Sequence, residues 1–268
     1  MPQDLILVRH GQSEGNVALN AAKRGDTSHM TEAYRQRSAA DYRLTDKGRR
    51  QAALAGQWIR NWMSEREVEL FDRLYCSPYV RTRETAAHLG LPEAAWHLEP
   101  LLRERDWGLW EGLGRDETRE KFPTAFAQKT RNRFLWRPEC GESTPDLDLR
   151  AREMFATLAR ELAGQTALCV THEDVMWAVR FRLEKMTIER WLEAVERDAD
   201  DIPNCGILHY TRRTEDGTVE PKFTRMRLVD PADEGSGDWQ TIDRPRFSNE
   251  ELLGQVEEVV PLWGERDD

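Results

Sequence analysis

Leu5-Ile6-Leu7-Val8-Arg9-His10-Gly11 decides how the rest of this 268-residue chain is read. Four apolar residues break at once into a cation, an imidazole and a glycine, the pattern of a buried parallel strand whose C-terminal end opens into a loop. Ligands of open α/β sheets bind at such ends. Arg9 carries a planar fork of donors suited to phosphoryl oxygens, and Gly11 lets the backbone come close to them. His10 stands where a nucleophile would stand. Gln12-Ser13-Glu14-Gly15-Asn16 adds a helix N-terminus and side-chain donors to the same place. An Arg-His-Gly tripeptide can arise by coincidence, so its meaning rests on the residues downstream of it.

A second strand of the same kind, Ala167-Leu168-Cys169-Val170-Thr171, ends in His172. Both ends should open on one edge of a parallel sheet, bringing two imidazoles together from distant parts of the chain. Between them, Phe71–Cys76 reads as a strand that turns into a helix, with Ser77 as cap and Pro78 at the first helical position. Arg81 then lies in the first turn beside the positive helix end, where an anion gains from both. The plainer alternative for Arg81 is an exposed pair with Glu84 or Glu93. Leu101–Gly112 mixes acids, tryptophans and glycines without periodicity and reads as an irregular loop. One of its carboxyls, partly desolvated by Trp107 or Trp110, suits a general acid. Surface ion pairs, such as Glu104 with Arg103 or Arg105, are the competing reading.

Elsewhere helices are predicted after Thr45 as cap, with Ala52, Ala55, Trp58, Ile59 and Trp62 on the buried stripe, and within 113–138, interrupted at Pro123. Another runs from Ser143 or Thr144 to about Gly164, and residues 173–197 read as helices. Trp96–Glu99 is a short strand, and Ile207–Thr211 with Glu220–Met226 forms a closing hairpin around Asp216-Gly217. Residues 17–43 are polar and weakly patterned, either a lid over the pocket mouth or a plain solvated loop or short helix. Beyond Arg227 the composition becomes linker-like, with Leu252, Leu253, Val256, Val259 and Val260 offering one docking helix. The chain thus divides into a domain of residues 1–228, which carries the 17–43 excursion, and a polar extension of residues 229–268.

The net charge of −10 argues against nucleic acid or an anionic membrane as partner, since both reward a basic face. A small phosphorylated ligand is still allowed. Only six of the 39 basic residues are Lys, so an arginine-lined anion pocket is easy to build, although a genomic bias explains the same excess. Cys76, Cys140, Cys169 and Cys205 lack the close spacing of a metal knuckle. The N-terminal apolar run is too short for a signal peptide and lacks a basic flank, and no stretch suits a membrane span, which predicts a cytoplasmic protein.

In their order these pieces resemble the histidine phosphatase superfamily, the branch that includes the cofactor-dependent phosphoglycerate mutases, over about residues 4–211. Arg9 to Asn16 is similar to the family signature, and Leu44-Thr45 to Gly48 with Gln51-Ala52 to its second block. Ser77-Pro78 to Arg81-Thr82, Glu104 ahead of Trp107-Gly108, Gly141-Glu142-Ser143 and Thr171-His172 come after these in the family's order. The resemblance implies an α/β fold, a three-layer α/β/α sandwich around a mostly parallel central sheet, and a two-step transfer through phosphohistidine that needs no metal or cofactor. It makes His10 the nucleophile and Glu104 the proton donor and later the base, with Arg9, Arg81, His172 and Asn16 around the phosphoryl oxygens. It also implies a phosphoric monoester hydrolase acting on a small phosphorylated substrate. A mutase-type phosphotransferase and a non-catalytic phospholigand-binding relative are the alternatives. The insertion that characterises the mutases between the acid loop and the second histidine is not found, which favours hydrolysis. After His172 the family usually places Gly, where this chain has Glu173-Asp174. In the first turn of a helix and facing away from the site, both are harmless, and that is the expectation.

Overall fold

Strand β1, Asp4–Arg9, lies inside a seven-stranded sheet because both of its faces are apolar. Leu5 and Leu7 point into one core and Ile6 and Val8 into the other, the period-two alternation of a doubly covered strand. Residues 1–197, 200–233, 236–257 and 259 are described in this computed structural model. In chain order β1 is followed by helices α1 (Glu14–Lys23), α2 (Glu32–Gln36) and α3 (Asp46–Glu65), strand β2 (Arg73–Cys76), helix α4 (Val80–His88) and strand β3 (Trp96–Leu98). Helices α5 (Arg115–Lys121), α6 (Pro123–Arg131) and α7 (Thr144–Glu161) precede β4 (Thr166–Thr171), which leads to α8 (Glu173–Leu183) and α9 (Ile188–Ala194). Strands β5 (Ile207–Thr211), β6 (Arg225–Val229) and β7 (Gln240–Thr241) and helix α10 (Asn249–Glu257) complete the described elements.

The sheet order is β3-β2-β4-β1-β5-β6-β7. The first four of these run parallel, and β5, β6 and β7 continue antiparallel. Ala52, Ala55, Ile59 and Trp62 of α3, with Ala86 of α4, cover one face. Leu147, Met154 and Leu158 of α7 are buried, and Met154, Leu158 and Val175 to Val179 of α8 cover the other face, which completes three layers. Burying each of the larger aliphatic side chains (Leu, Ile, Val, Met) contributes about 1.5–3 kcal/mol, so two closed cores hold the central strands at the edge where the site forms. Thr45 and Ser143 cap α3 and α7 through their side chains, as the sequence predicts.

Three expectations are corrected. The last hairpin pairs Thr211 with Arg225, so β6 starts five residues later than Glu220; Pro221, which has no N–H to give to a ladder, lies in the connection. The sheet also continues past residue 228, through Val229 and through β7. Helix α10 does not dock: Leu252, Leu253 and Val256 are 48–66% exposed and Val259 is 67% exposed, while Val260 lies outside the described residues. Among the described residues no helix is long and apolar enough to cross a membrane.

Candidate active site

Register brings the site residues together. Arg9 of β1 pairs opposite Thr171 of β4, and Cys76 of β2 opposite Val170. His10 and His172 therefore each stand one residue beyond adjacent strand ends, with Ser77 beside them. The His10 amide donates to the Thr171 carbonyl and the Ser77 amide to the Val170 carbonyl, both at 3.0 Å. The two imidazoles meet edge to face, 5.2 Å between centroids.

His10 is buried, and its Nδ1 donates to the Gly11 carbonyl at 2.8 Å. A neutral ring held this way keeps its lone pair on Nε2. That nitrogen accepts from Nε of Arg81 at 3.1 Å. Burial, and then the Arg81 and Arg9 charges, hold the His10 pKa well below the usual imidazole range, so the ring is neutral at pH 7. Its carbonyl is tied down by Nδ2 of Asn204 at 3.1 Å. The loop around His10 fits because two glycines face each other. A Cβ on Gly48 would lie 2.1 Å from the Gln12 carbonyl oxygen, and one on Gly11 2.4 Å from that of Gly48. The second sequence block thus serves to seat the first.

His172 is fully buried, with Nε2 2.8 Å from the Ser77 hydroxyl. The same hydroxyl oxygen accepts from the Tyr79 amide at 3.4 Å; a hydroxyl that donates to Nε2 leaves the ring hydrogen on Nδ1, the tautomer that turns a donor toward the site. Nδ1 is buried and has no hydrogen-bond partner among the described residues; it faces Oε2 of Glu104 at 3.8 Å. Burial, followed by Arg81 and His10, holds this ring neutral as well. Ser77 is therefore not a helix cap: α4 begins at Val80, after Tyr79, which makes no side-chain cap bond. Arg81 still falls in the first turn and is buried. It does not pair with Glu84, which binds Arg43 instead. Its Nη1 donates to the Ala39 carbonyl at 2.5 Å, so the 17–43 excursion lies against the site.

Glu104 hangs from a loop with three fixings. Thr171 Oγ1 donates to the Leu102 carbonyl at 2.9 Å. Arg150 of α7 donates to the Leu101 and Arg103 carbonyls at 2.6 and 3.0 Å and grips both oxygens of Glu142 at 2.9 Å. Glu142 in turn accepts from the Asp106 amide at 3.0 Å. Burial and then the nearby Asp174 carboxylate push the Glu104 carboxyl up to about 8, with Arg81 pulling the other way. Trp107 stacks under Arg105 at 4.5 Å, and Trp107, Trp110 and Trp136 surround the Lys129 ammonium at 5.0–5.5 Å.

Asn16 accepts through Oδ1 from the Ser13 amide and hydroxyl, each at 3.0 Å, and from Asn204 at 3.2 Å, which leaves its NH₂ to donate. Arg9 is half committed. Nη1 donates to the Ile202 carbonyl and Nη2 meets Glu173 Oε2 at 2.5 Å, while Nε is buried without a partner among the described residues. The expectation that Glu173 faces away is thus overturned. Its place in the first turn of α8 is as predicted, but the pairing of Arg9 with Thr171 puts it over the neighbouring strand end, within reach of that guanidinium.

One atom each from His10, Glu104 and His172 lies within 4.8 Å of the others, a spacing open to a cation. The charges do not suit one. Arg81 already binds the His10 lone pair, both rings are polarised by arginines, and Glu104 is neutral at pH 7. Two arginines and the donor at His172 Nδ1 instead suit a tetrahedral oxyanion. The sequence does not signal the parts that Ser77, Asn204 and Arg150 play at the site. Ser77 reads there as a cap, and Arg150 is one arginine among many on a helix face.

Over 237 residues the chain is 31% identical to the 2,3-bisphosphoglycerate-dependent phosphoglycerate mutase of Methylobacterium radiotolerans, which spans 86% of this chain and 99% of that protein. It is 29% identical over 175 residues to the 6-phosphofructo-2-kinase/fructose-2,6-bisphosphatase of Gallus gallus, covering 65% of this chain and 31% of that one. Among solved structures, Bacillus stearothermophilus YhfR superposes with a TM-score of 0.62 at 24% identity, over 82% of this chain and 95% of that chain. A mycobacterial glucosyl-3-phosphoglycerate phosphatase does so with 0.60 at 22% identity, over 78% and 92%, and these two support the fold alone. Because a protein named as a mutase aligns along nearly its whole length, the missing insertion does not separate hydrolysis from mutase chemistry. Residues 5–219 match the family model described as histidine phosphatase superfamily (branch 1), and the chain belongs to that superfamily.

Proposed function

We propose that the protein hydrolyses small phosphomonoesters in two steps through a phosphohistidine on His10. The observation that carries this reading is the His10 Nε2 lone pair, fixed by the Gly11 carbonyl on the far nitrogen and facing Arg81 and His172. A phosphoryl group that takes over the Arg81 contact exposes that lone pair to phosphorus. Nε2 attacks, the ester P–O bond breaks, and Glu104 gives its proton to the departing oxygen. In the second step the Glu104 carboxylate takes a proton from water, the water oxygen attacks phosphorus, and the N–P bond breaks to release orthophosphate. Arg9, Arg81, His172 Nδ1 and the Asn16 amide stabilise the equatorial oxygens, and such fixed charge supplies most of the rate in phosphoryl transfer. A carboxyl pushed up to about 8 suits the first step because it is protonated at neutral pH.

Mutase-type transfer is the second reading, favoured by the relative from Methylobacterium radiotolerans. Incubation with p-nitrophenyl phosphate should release orthophosphate, and His10→Ala should reduce the rate by at least ~10³-fold. Isomerisation of 3-phosphoglycerate without net phosphate release would decide for the mutase. An unaltered rate in His10→Ala would end the phosphohistidine reading.

A further inference from the structure

Both guanidinium groups at the pocket are occupied by acceptors of the protein itself. Arg81 is held by a neutral carbonyl, that of Ala39, whereas Arg9 is held by a carboxylate, that of Glu173 at 2.5 Å. With Nη1 committed to Ile202, the nitrogens left to greet a phosphoryl group are Nε, already buried, and Nη2, already taken. We infer that Glu173 is a specificity-determining residue: an internal counter-anion of Arg9 that an incoming phosphoryl group must displace, making the pocket hold orthophosphate and other dianions loosely. The inference rests on the reading of the pocket as a phosphoryl cradle.

The surroundings make displacement possible. Glu173 is 37% exposed on its side chain, so a path to solvent exists. It also lines a cavity of about 100 Å³ that opens to solvent. The charged groups around it are Arg9 from β1, Lys23 at the end of α1, Glu104 on the acid loop, Asp174 on its own helix, and Arg133, Glu196, Arg197 and Asp201 around that cavity. Burial pushes the Glu173 carboxyl up, Arg9 holds it down, and Asp174 and Asp201 add to the rise. Lowering the pH therefore removes the competing charge sooner than for a free glutamate. A weakly held product leaves quickly, and the same charge raises KM.

Calorimetric titration with orthophosphate tests this without requiring turnover. Glu173→Gln and Glu173→Gly should each bind orthophosphate about tenfold tighter than the native protein at pH 7.5. Glu173→Asp should stay near native, and the native-to-Gln difference should shrink as pH is lowered. In p-nitrophenyl phosphate assays Glu173→Gln should lower KM without raising kcat. Equal or weaker phosphate binding by folded Glu173→Gln would overturn the inference and make Glu173 a prop for Arg9, leaving the phosphoryl cradle intact. Absence of orthophosphate binding in all of these proteins would overturn both.

Discussion

Replacing Glu104 with glutamine keeps the shape of a side chain that is 18% exposed and takes away its titration. With the carboxyl at about 8, roughly nine-tenths of the molecules carry the proton at pH 7. Turnover by the native protein should then be flat near neutrality and fall about tenfold per pH unit above 8, as the donor form is lost. On the acid side the fall should begin well below pH 6.5, where His10 and His172 become cationic. In Glu104→Gln the alkaline fall should disappear. The remaining rate should lie about 10²–10⁴-fold lower for alkyl phosphates, whose alkoxides need a proton, and be reduced much less for p-nitrophenyl phosphate. Stability gives a second reading of the same group. Its folded pKa exceeds the unfolded one, so between about 4.5 and 8 the native state binds the extra proton and loses stability as pH rises. Glutamine removes that loss, on the order of 3 kcal/mol at pH 7, and urea unfolding should show the variant gaining on the native protein from pH 5 to pH 8. An alkaline limb that persists unchanged in Glu104→Gln would refute the assignment of the donor.

Arg150→Ala should cost about 3 kcal/mol in urea unfolding, because it leaves Glu142, only 14% exposed, short of its main partner, and lower kcat about tenfold by loosening the Glu104 loop. Arg150→Lys should recover part of the stability but little of the rate, as an ammonium cannot fork. Gly48→Ala drives a methyl into the Gln12 carbonyl, and with backbone on both sides it should cost about 2 kcal/mol and raise KM through the displaced 11–16 loop. Ending the chain at Ser248 removes α10, which buries no residue, and should shift stability by less than about 0.5 kcal/mol with activity retained.

Much of the fold and site is legible from local pattern. Two continuous apolar runs ending in histidine can be read because a parallel strand between two helical layers must be apolar on both faces. The caps at Thr45 and Ser143 are equally local, each oxygen serving an amide three residues on. What escapes depends on pairing register. Glu173 is an ordinary first-turn acid until Thr171 is set opposite Arg9, and Ser77 is an ordinary cap until Val170 is set opposite Cys76. The five-residue offset of β6 has the same origin: the Glu220 amide still donates to the Arg212 carbonyl, and only after residues 221–224 leave the ladder does Arg225 resume it opposite Thr211.

The carbonyl of Gly11 fixes one thing more. With Nδ1 engaged by the main chain, only the remote ring nitrogen is free to become phosphorylated, so a trapped phosphoenzyme should carry the Nε2 regioisomer. Phosphorus magnetic resonance of the denatured adduct, or a reagent selective for one isomer, would read that choice directly. On the proposed two-step route a single main-chain oxygen would thereby set the covalent identity of the intermediate, independent of which ester delivers the phosphorus.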